Sequence, residues 1–492
     1  MVLKLLGTLI EPTDRYSTKS HRISAIVLTT LIKIVVSSFT PAAFVTFAYL
    51  AYNYQKYYQL TAQIWTSQQW LLVTATIWSL FEIGFYLHCL YVKRLFSRTS
   101  STLELTWAKR VFYLQRVLDH NPTVFKSLAK WFHKRDELNS EDDIYLEHFE
   151  DWLSWAFFNK LKFNLTRNEV HELHAIMEIC LKQDPSAAAL RNEDTESRKP
   201  LEFMRLNLDP IVFQHKPLIA YMVISLMQLY GLIFLYFIGF VHYNCQPRST
   251  LSYWIYNGNK SKSSRKPSTK PPVFLVYGIG IGVTMYLKVI NAIRNKDPDR
   301  TIVVLDLPHI SLKLVHQIPS LPQTLEAIDN IFKKHELGAC SWLGHSYGSI
   351  ITAWVIKSRP AYIHKVNLVD PVCFALWEPD LIRNFLYNPN PIGPIHRLAQ
   401  YFVAKDLLVA STLFRHFWWL QNILFPDDLA CESHVYFSQY DWIIDSYAIK
   451  SYLDKFCSQN SWNRLKTLMM DNVAHGGFIS SEEKIQLVLE HV

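Results

Sequence analysis

Hydrophobic and polar positions along this chain obey two different rules. In the first half, apolar residues run on for the length of a bilayer-crossing helix, which needs about 20 of them. Residues 217–241 hold no charge, residues 70–92 hold only Glu82 before Lys93 and Arg94, and residues 34–52 follow Lys33 and contain Pro41. In the second half the runs become short and rich in β-branched residues. They alternate with stretches of helical period, the pattern of strands and crossover helices in a parallel sheet. Strands are expected at 273–277, 301–305, 341–343, 366–369, 434–438 and 467–470, with helices at 325–335 and 350–357.

The intervening residues 93–216 read as helical. Within 148–157 the spacing puts Phe149, Trp152, Leu153, Ala156 and Phe157 on one face, with acids from Asp136 to Asp151 elsewhere, an amphipathic pattern made for packing. Residues 260–270 (KSKSSRKPSTK) lack any apolar side chain. They mark a solvated tether, with contact to anionic headgroups as the alternative. The expected organisation is a segment 1–92 with a membrane hairpin (34–52 and 70–92), a helical region 93–216, a third span 217–241, a linker 242–272 and an α/β region 273–492. The three spans resemble no known family, and anchoring is the role expected of them. Glu82, in mid-span, is expected as a protonated acid facing another helix.

Composition narrows the class. Of 492 residues, 50 % are apolar, 14 % aromatic and 19 % charged, which excludes a chain disordered throughout. Seven cysteines stand without CxxC pairs or metal-ligand spacing, against both a disulfide scaffold and a zinc site. A net charge of +8 with no nucleic-acid motif gives no reason to expect a nucleic-acid partner. The basic flanks pull both ways. Arg15, Lys19, Arg22, Lys33, Lys93 and Arg94 put both hairpin ends on the cytoplasmic side, yet Lys260, Lys262, Arg265, Lys266 and Lys270 follow the third span. An integral membrane address is expected, the endoplasmic reticulum among the candidates, with the side of the catalytic region left open.

The candidate chemistry begins at Gly344-His345-Ser346-Tyr347-Gly348, between an expected strand and an expected helix. Glycines two positions either side let the serine take a strained turn. That turn lifts its hydroxyl above the sheet and points the helix N-terminus at a developing oxyanion. Of 14 glycines, seven (278, 280, 282, 344, 348, 476 and 477) fall in three loops that such a sheet would bring together.

With these features, residues 251–492 resemble the α/β-hydrolase superfamily of serine lipases and esterases. The resemblance implies an α/β-hydrolase fold, a mostly parallel sheet flanked by helices. It also implies a nucleophile, an acid and a histidine in that chain order, an oxyanion loop after an early strand and a lid between later strands. Ser346 takes the nucleophile's place, and His475, before Gly476-Gly477, that of the general base. Asp441, after the strand 434–438, takes the acid's place. Asp370 is the alternative, because some relatives use the strand end at 366–369, and Asp445 reads as a helix cap. The backbone N–H groups of Ile279 and Tyr347 match the oxyanion hole, whose donors are typically worth about 3–4 kcal/mol each. The family's frequent His-Gly is Tyr277-Gly278 here, and His345 is read as packing.

Residues 375–432 read as a helical lid, with helices at 380–385, 395–402 and 407–425. The dense aromatics of 413–420 either line an acyl pocket, face a membrane or pack on the sheet. The expected activity is that of a membrane-anchored serine hydrolase cutting carboxylic esters of lipids or other hydrophobic substrates through an acyl-enzyme, with no metal or organic cofactor. Acyl transfer by the same triad, and a silent membrane scaffold of this fold, are the alternatives. None of the 19 histidines has an Asp five positions on, so the acyltransferase box of some relatives is absent.

Overall fold

The computed structural model describes residues 19–53, 67–97, 104–132, 144–188, 202–245, 251–258, 269–388, 391 and 393–492. Arg15, the acids of 136–143 and most of the basic tract (259–268) lie outside them.

The N-terminal half is helical: α1 (Lys19–Tyr52), α2 (Ser67–Ser97), α3 (Trp107–His120), α4 (Leu146–Phe158), α5 (Arg167–Gln183) and α6 (Leu218–Phe237). Three of these, α1, α2 and α6, are long and apolar enough to cross a membrane. They do not form the expected hairpin. Phe39 meets Trp78, Thr40 meets Glu82 and Phe44 meets Tyr86, so contacts advance in the same direction along α1 and α2. An antiparallel pair would show the reverse. Apolar run length and basic flanks carry no information about helix direction, whereas the Thr40–Glu82 hydrogen bond and the aromatic pairs fix it. Glu82 faces another helix, as expected. Its buried carboxyl group is hydrogen-bonded to Thr40 Oγ1 and accepts from the Leu218 N–H at 2.8 Å, and thereby caps the first turn of α6.

The third apolar run is two elements rather than one. α6 ends at Phe237, Gly239 turns the chain in the left-handed region (φ 93°), and Val241 opens a strand. The expected linker 242–272 therefore contains β1 (Val241–Asn244) and β2 (Ser252–Tyr256), and the sheet begins at 241 instead of 273. Val241 both closes the apolar run and opens the strand, so only the glycine marks the border.

The remaining strands are β3 (Val273–Val276), β4 (Ile302–Asp306), β5 (Cys340–His345), β6 (Ile363–Val369), β7 (Ser433–Tyr440) and β8 (Leu465–Ala474). Their order across the sheet is β1-β2-β4-β3-β5-β6-β7-β8, antiparallel at β1/β2 and β2/β4 and parallel elsewhere. This is the α/β-hydrolase fold. Every residue of β2, β3, β4 and β5 is buried, as helices on both faces of a parallel sheet require. Those helices are α7 (Leu287–Lys296), α8 (Leu321–His335), α9 (Gly348–Ser358), α11 (Ser446–Gln459) and α12 (Glu482–Leu489), while α10 (Leu407–His416) belongs to the insertion between β6 and β7.

That insertion is not held as expected. Its last helix breaks at Phe417, and residues 383–387 and 400–404 wind as wide π-type turns. Trp418 and Trp419 are buried and do not face outward. Both donate Nε1–H to the Ala156 carbonyl at the end of α4, at 3.1 and 2.9 Å. Trp131 donates to Trp377 O at 3.0 Å, Ser127 and Lys130 hold Glu378, and Arg415 donates to Asp209 O at 2.9 Å. The helical region is thus a shell fastened to the lid at both ends. The face expected on 148–157 is buried, and Trp155 and Phe158 join it.

Candidate active site

β5 runs into Ser346, whose φ of +51° is strained for a side-chain-bearing residue, and α9 starts two residues later. The sharp turn needs its glycines. A Cβ on Gly348 would lie 2.0 Å from Val276 O, so α9 could not approach β3; one on Gly278 would lie 2.7 Å from Ser346 Cβ. The three expected side chains adjoin across three strand ends. His475 Nε2 is 2.8 Å from Ser346 Oγ, and His475 Nδ1 is 2.6 Å from Asp441 Oδ2. Asp441 Oδ1 accepts from the N–H groups of Ile443 and Ile444 at 2.7 and 3.1 Å, which fixes the carboxylate's orientation. Burial would depress the imidazole, but the adjacent Asp441 carboxylate outweighs it and holds His475 above its ordinary pKa.

Asp370, the alternative acid, is brought close but not into contact with the imidazole. Its Oδ1 accepts from Ser438 N–H at 2.7 Å, and its Oδ2 from Ser438 Oγ at 2.9 Å and Gly476 N–H at 2.8 Å. It therefore ties the end of β7 to the loop carrying His475. Burial works against its charge, yet His345, His475 and the Gly476 N–H keep it below the usual carboxylate range. Asp445 caps α11 by accepting from Ala448 N–H at 2.9 Å. The ligand atoms of Asp370, Asp441 and His475 lie within 4.8 Å of one another. Since both imidazole nitrogens and both Asp370 oxygens already have partners, hydrogen bonding accounts for this cluster without a metal.

Among the described residues, the Ile279 and Tyr347 N–H groups have no protein acceptor, whereas the next amide, Gly280, donates to Ile310 O at 3.1 Å. Tyr277, where a histidine was the comparison, hydrogen-bonds Asp306 and accepts from Leu307 N–H at 2.6 Å, which anchors the loop to the end of β4.

Two contacts had no signal in the sequence. Tyr286 Oη accepts from Gly278 N–H at 3.0 Å and is hydrogen-bonded to His345 Nδ1 at 2.5 Å. His345 Nε2 lies 3.8 Å from Asp370 Oδ2. Burial keeps this imidazole below its ordinary pKa. His345 is more than packing: it stands between the oxyanion loop and the Asp370 clamp.

Neither a family model nor a curated protein matches the sequence. Similar solved structures include a membrane phospholipase A described as a bacterial virulence factor (17 % identical, 56 % of this chain and 92 % of that one covered, TM-score 0.38), the naproxen esterase of Bacillus subtilis (10 %, 54 % and 95 %, 0.38) and the 2-hydroxy-6-oxo-6-phenylhexa-2,4-dienoate hydrolase of Rhodococcus sp. strain RHA1 (16 %, 51 % and 98 %, 0.37). The likeness spans about half of this chain, and the fold is read from its own strand order.

Proposed function

We propose that the chain is a membrane-anchored serine hydrolase that cleaves carboxylic esters of lipids or other hydrophobic molecules. The observation that carries the reading is the continuous line Asp441–His475–Ser346, with heavy-atom separations of 2.6 and 2.8 Å. Ser346 Oγ attacks the ester carbonyl while His475 Nε2 takes its proton, and Asp441 stabilises the imidazolium that forms. The Ile279 and Tyr347 N–H groups receive the oxyanion. The tetrahedral species collapses as His475 returns the proton to the departing alcohol. Water, deprotonated by the same imidazole, then releases the acid from the acyl-serine.

The apolar substrate follows from where the catalytic edge faces. Gln228 of α6 donates to Ser311 O at 2.6 Å, and a Cβ on Gly231 of α6 would come within 2.3 Å of Thr284 Oγ1. The oxyanion side of the site is thus packed against an apolar helix, and Ser346 itself is only 8 % exposed. The test is fluorophosphonate labelling of isolated membranes, native chain against Ser346→Ala and His475→Ala. Labelling of the native chain that both variants lose supports the reading. A folded native chain that stays unlabelled in detergent and at a lipid interface defeats it.

A further inference from the structure

Away from the triad, Lys33 of α1 and Lys216 just before α6 flank one ring of the lid, and Arg397 and Lys405 of the lid lie near them. The Nζ atoms of Lys33 and Lys216 each lie 5.6 Å from the centroid of Tyr401. Lys216 Nζ donates to the Lys405 carbonyl at 2.5 Å. Arg397 and Lys405 are near enough to Lys33 to repel it, and Lys405 repels Lys216 as well. None of the four is fully exposed.

The counter-charge is missing. Among the described residues, the acid that reaches the group is Asp406, beside Lys216, and it is already engaged by the N–H groups of Leu408 and Val409 and by Tyr221 Oη at 2.6 Å. Among the described residues no carboxylate forms an ion pair with Lys33, Arg397 or Lys405. Half-buried like charges of this kind raise the free energy of the fold unless an anion joins them. Burial also pushes Lys216 down to about 7 and lowers Lys405, as expected of cations short of a partner. Tyr401 is 2 % exposed, and its Oη is a buried donor without a hydrogen-bond partner.

We propose that Lys33, Lys216, Arg397, Lys405 and Tyr401 Oη bind the phosphate-bearing headgroup of an anionic lipid, at a site separate from the triad. The neighbouring surface selects a lipid over free phosphate. Leu31, Ile34 and Val35 on α1 are 53, 58 and 57 % exposed, and hydrocarbon covering them would be continuous with a headgroup among the cations. A bound headgroup bridges α1 to the lid by placing an anion among their cations.

The experiment uses the full chain reconstituted in phosphatidylcholine nanodiscs with and without about one-fifth phosphatidic acid, reading thermal midpoint and lipid retained after purification. The native chain is expected to enrich phosphatidic acid and to melt higher with it. Lys33→Gln, Arg397→Gln and Lys405→Gln are expected to weaken retention by about fivefold per charge removed. Lys33→Arg is expected to restore it, and Lys262→Gln with Lys266→Gln in the basic tract to leave it unchanged. If the triple variant does not fold, Lys33→Gln and Tyr401→Phe alone must each reduce retention. Equal retention by native and variant chains overturns the proposal, and equal stabilisation by inorganic phosphate alone overturns its lipid part. Ser346→Ala retains the lipid whether or not the chain is a hydrolase, so the two readings fail separately.

Discussion

The catalytic edge of the sheet and the helical shell over the lid are held by opposite kinds of contact. At the edge, strand ends do the placing. Ser346, Asp370, Asp441 and His475 each follow a parallel strand directly or closely, and backbone N–H groups fix the two carboxylates. In the shell, single side-chain donors reach carbonyls far away in sequence, as Trp418 and Trp419 do at Ala156 and Trp131 at Trp377. The difference separates two properties that are often confounded. Substitutions at the edge should remove chemistry and spare the fold, and substitutions in the shell should do the reverse.

The hardest test of that separation is Ser346→Ala. On the proposed mechanism it lowers kcat by about a millionfold, the loss typical when a triad serine is removed. It keeps the Cβ and the backbone at φ +51° and removes only the hydroxyl, so the thermal midpoint should change little. A variant that is inactive and also melts well below the native chain would show that edge and fold are not separable. Next in size is the acid. Asp441→Asn is expected to cost about 10⁴-fold in kcat. Asp370→Asn, which loosens the His475 loop without touching the imidazole, should cost at most about a hundredfold. The reverse ranking in steady-state kinetics would make Asp370 the orienting acid.

The edge also predicts a pH profile. The general base must be neutral to accept the serine proton. Asp441 holds His475 above its ordinary value, which is about 6.5 for a free imidazole. Hence kcat/KM should climb through an apparent pKa above about 6.5 and be lost below it. Asp441→Asn removes the offsetting charge and leaves burial to act, so its acid limb should move to lower pH. A limb below about 6.5 in the native chain, or one that Asp441→Asn leaves in place, would contradict the assigned contact.

What was legible in the sequence follows the same divide. The six expected strands exist because short β-branched runs and flanking glycines are local signals, and the elbow at Gly344–Gly348 is written in consecutive residues. Strands β1 and β2 carry weaker signals: only Val241 of β1 belongs to the apolar run, the rest of that short strand is polar or aromatic, and β2 lies within the stretch expected as a linker. The direction of α1 against α2 was invisible because it depends on Thr40 meeting Glu82, a pairing between two runs that are each featureless. Trp418 and Trp419 stood out as aromatic, but their partner at Ala156 is a main-chain carbonyl, and a carbonyl has no sequence signature. Tyr286 and Lys33 escaped for the same reason: each matters through what the fold brings beside it.

The smallest predicted effects sharpen the shell side. Trp131→Phe and Trp419→Phe both keep an aromatic ring in a buried site and remove only an indole donor. They should not be equal. Trp377 O loses the indole that Trp131 supplies at 3.0 Å, whereas Ala156 O keeps Trp418 when Trp419 is changed. A buried acceptor stripped of a partner costs about 1–3 kcal/mol, while losing one of two donors costs nearer to about 1 kcal/mol or less. Chemical denaturation should therefore rank Trp131→Phe below Trp419→Phe, with kcat on a small soluble ester unchanged in both. Equal losses would mean that ring packing, and not the indole hydrogen bonds between shell and lid, holds the shell; a fall in kcat would mean that the shell reaches the catalytic edge after all.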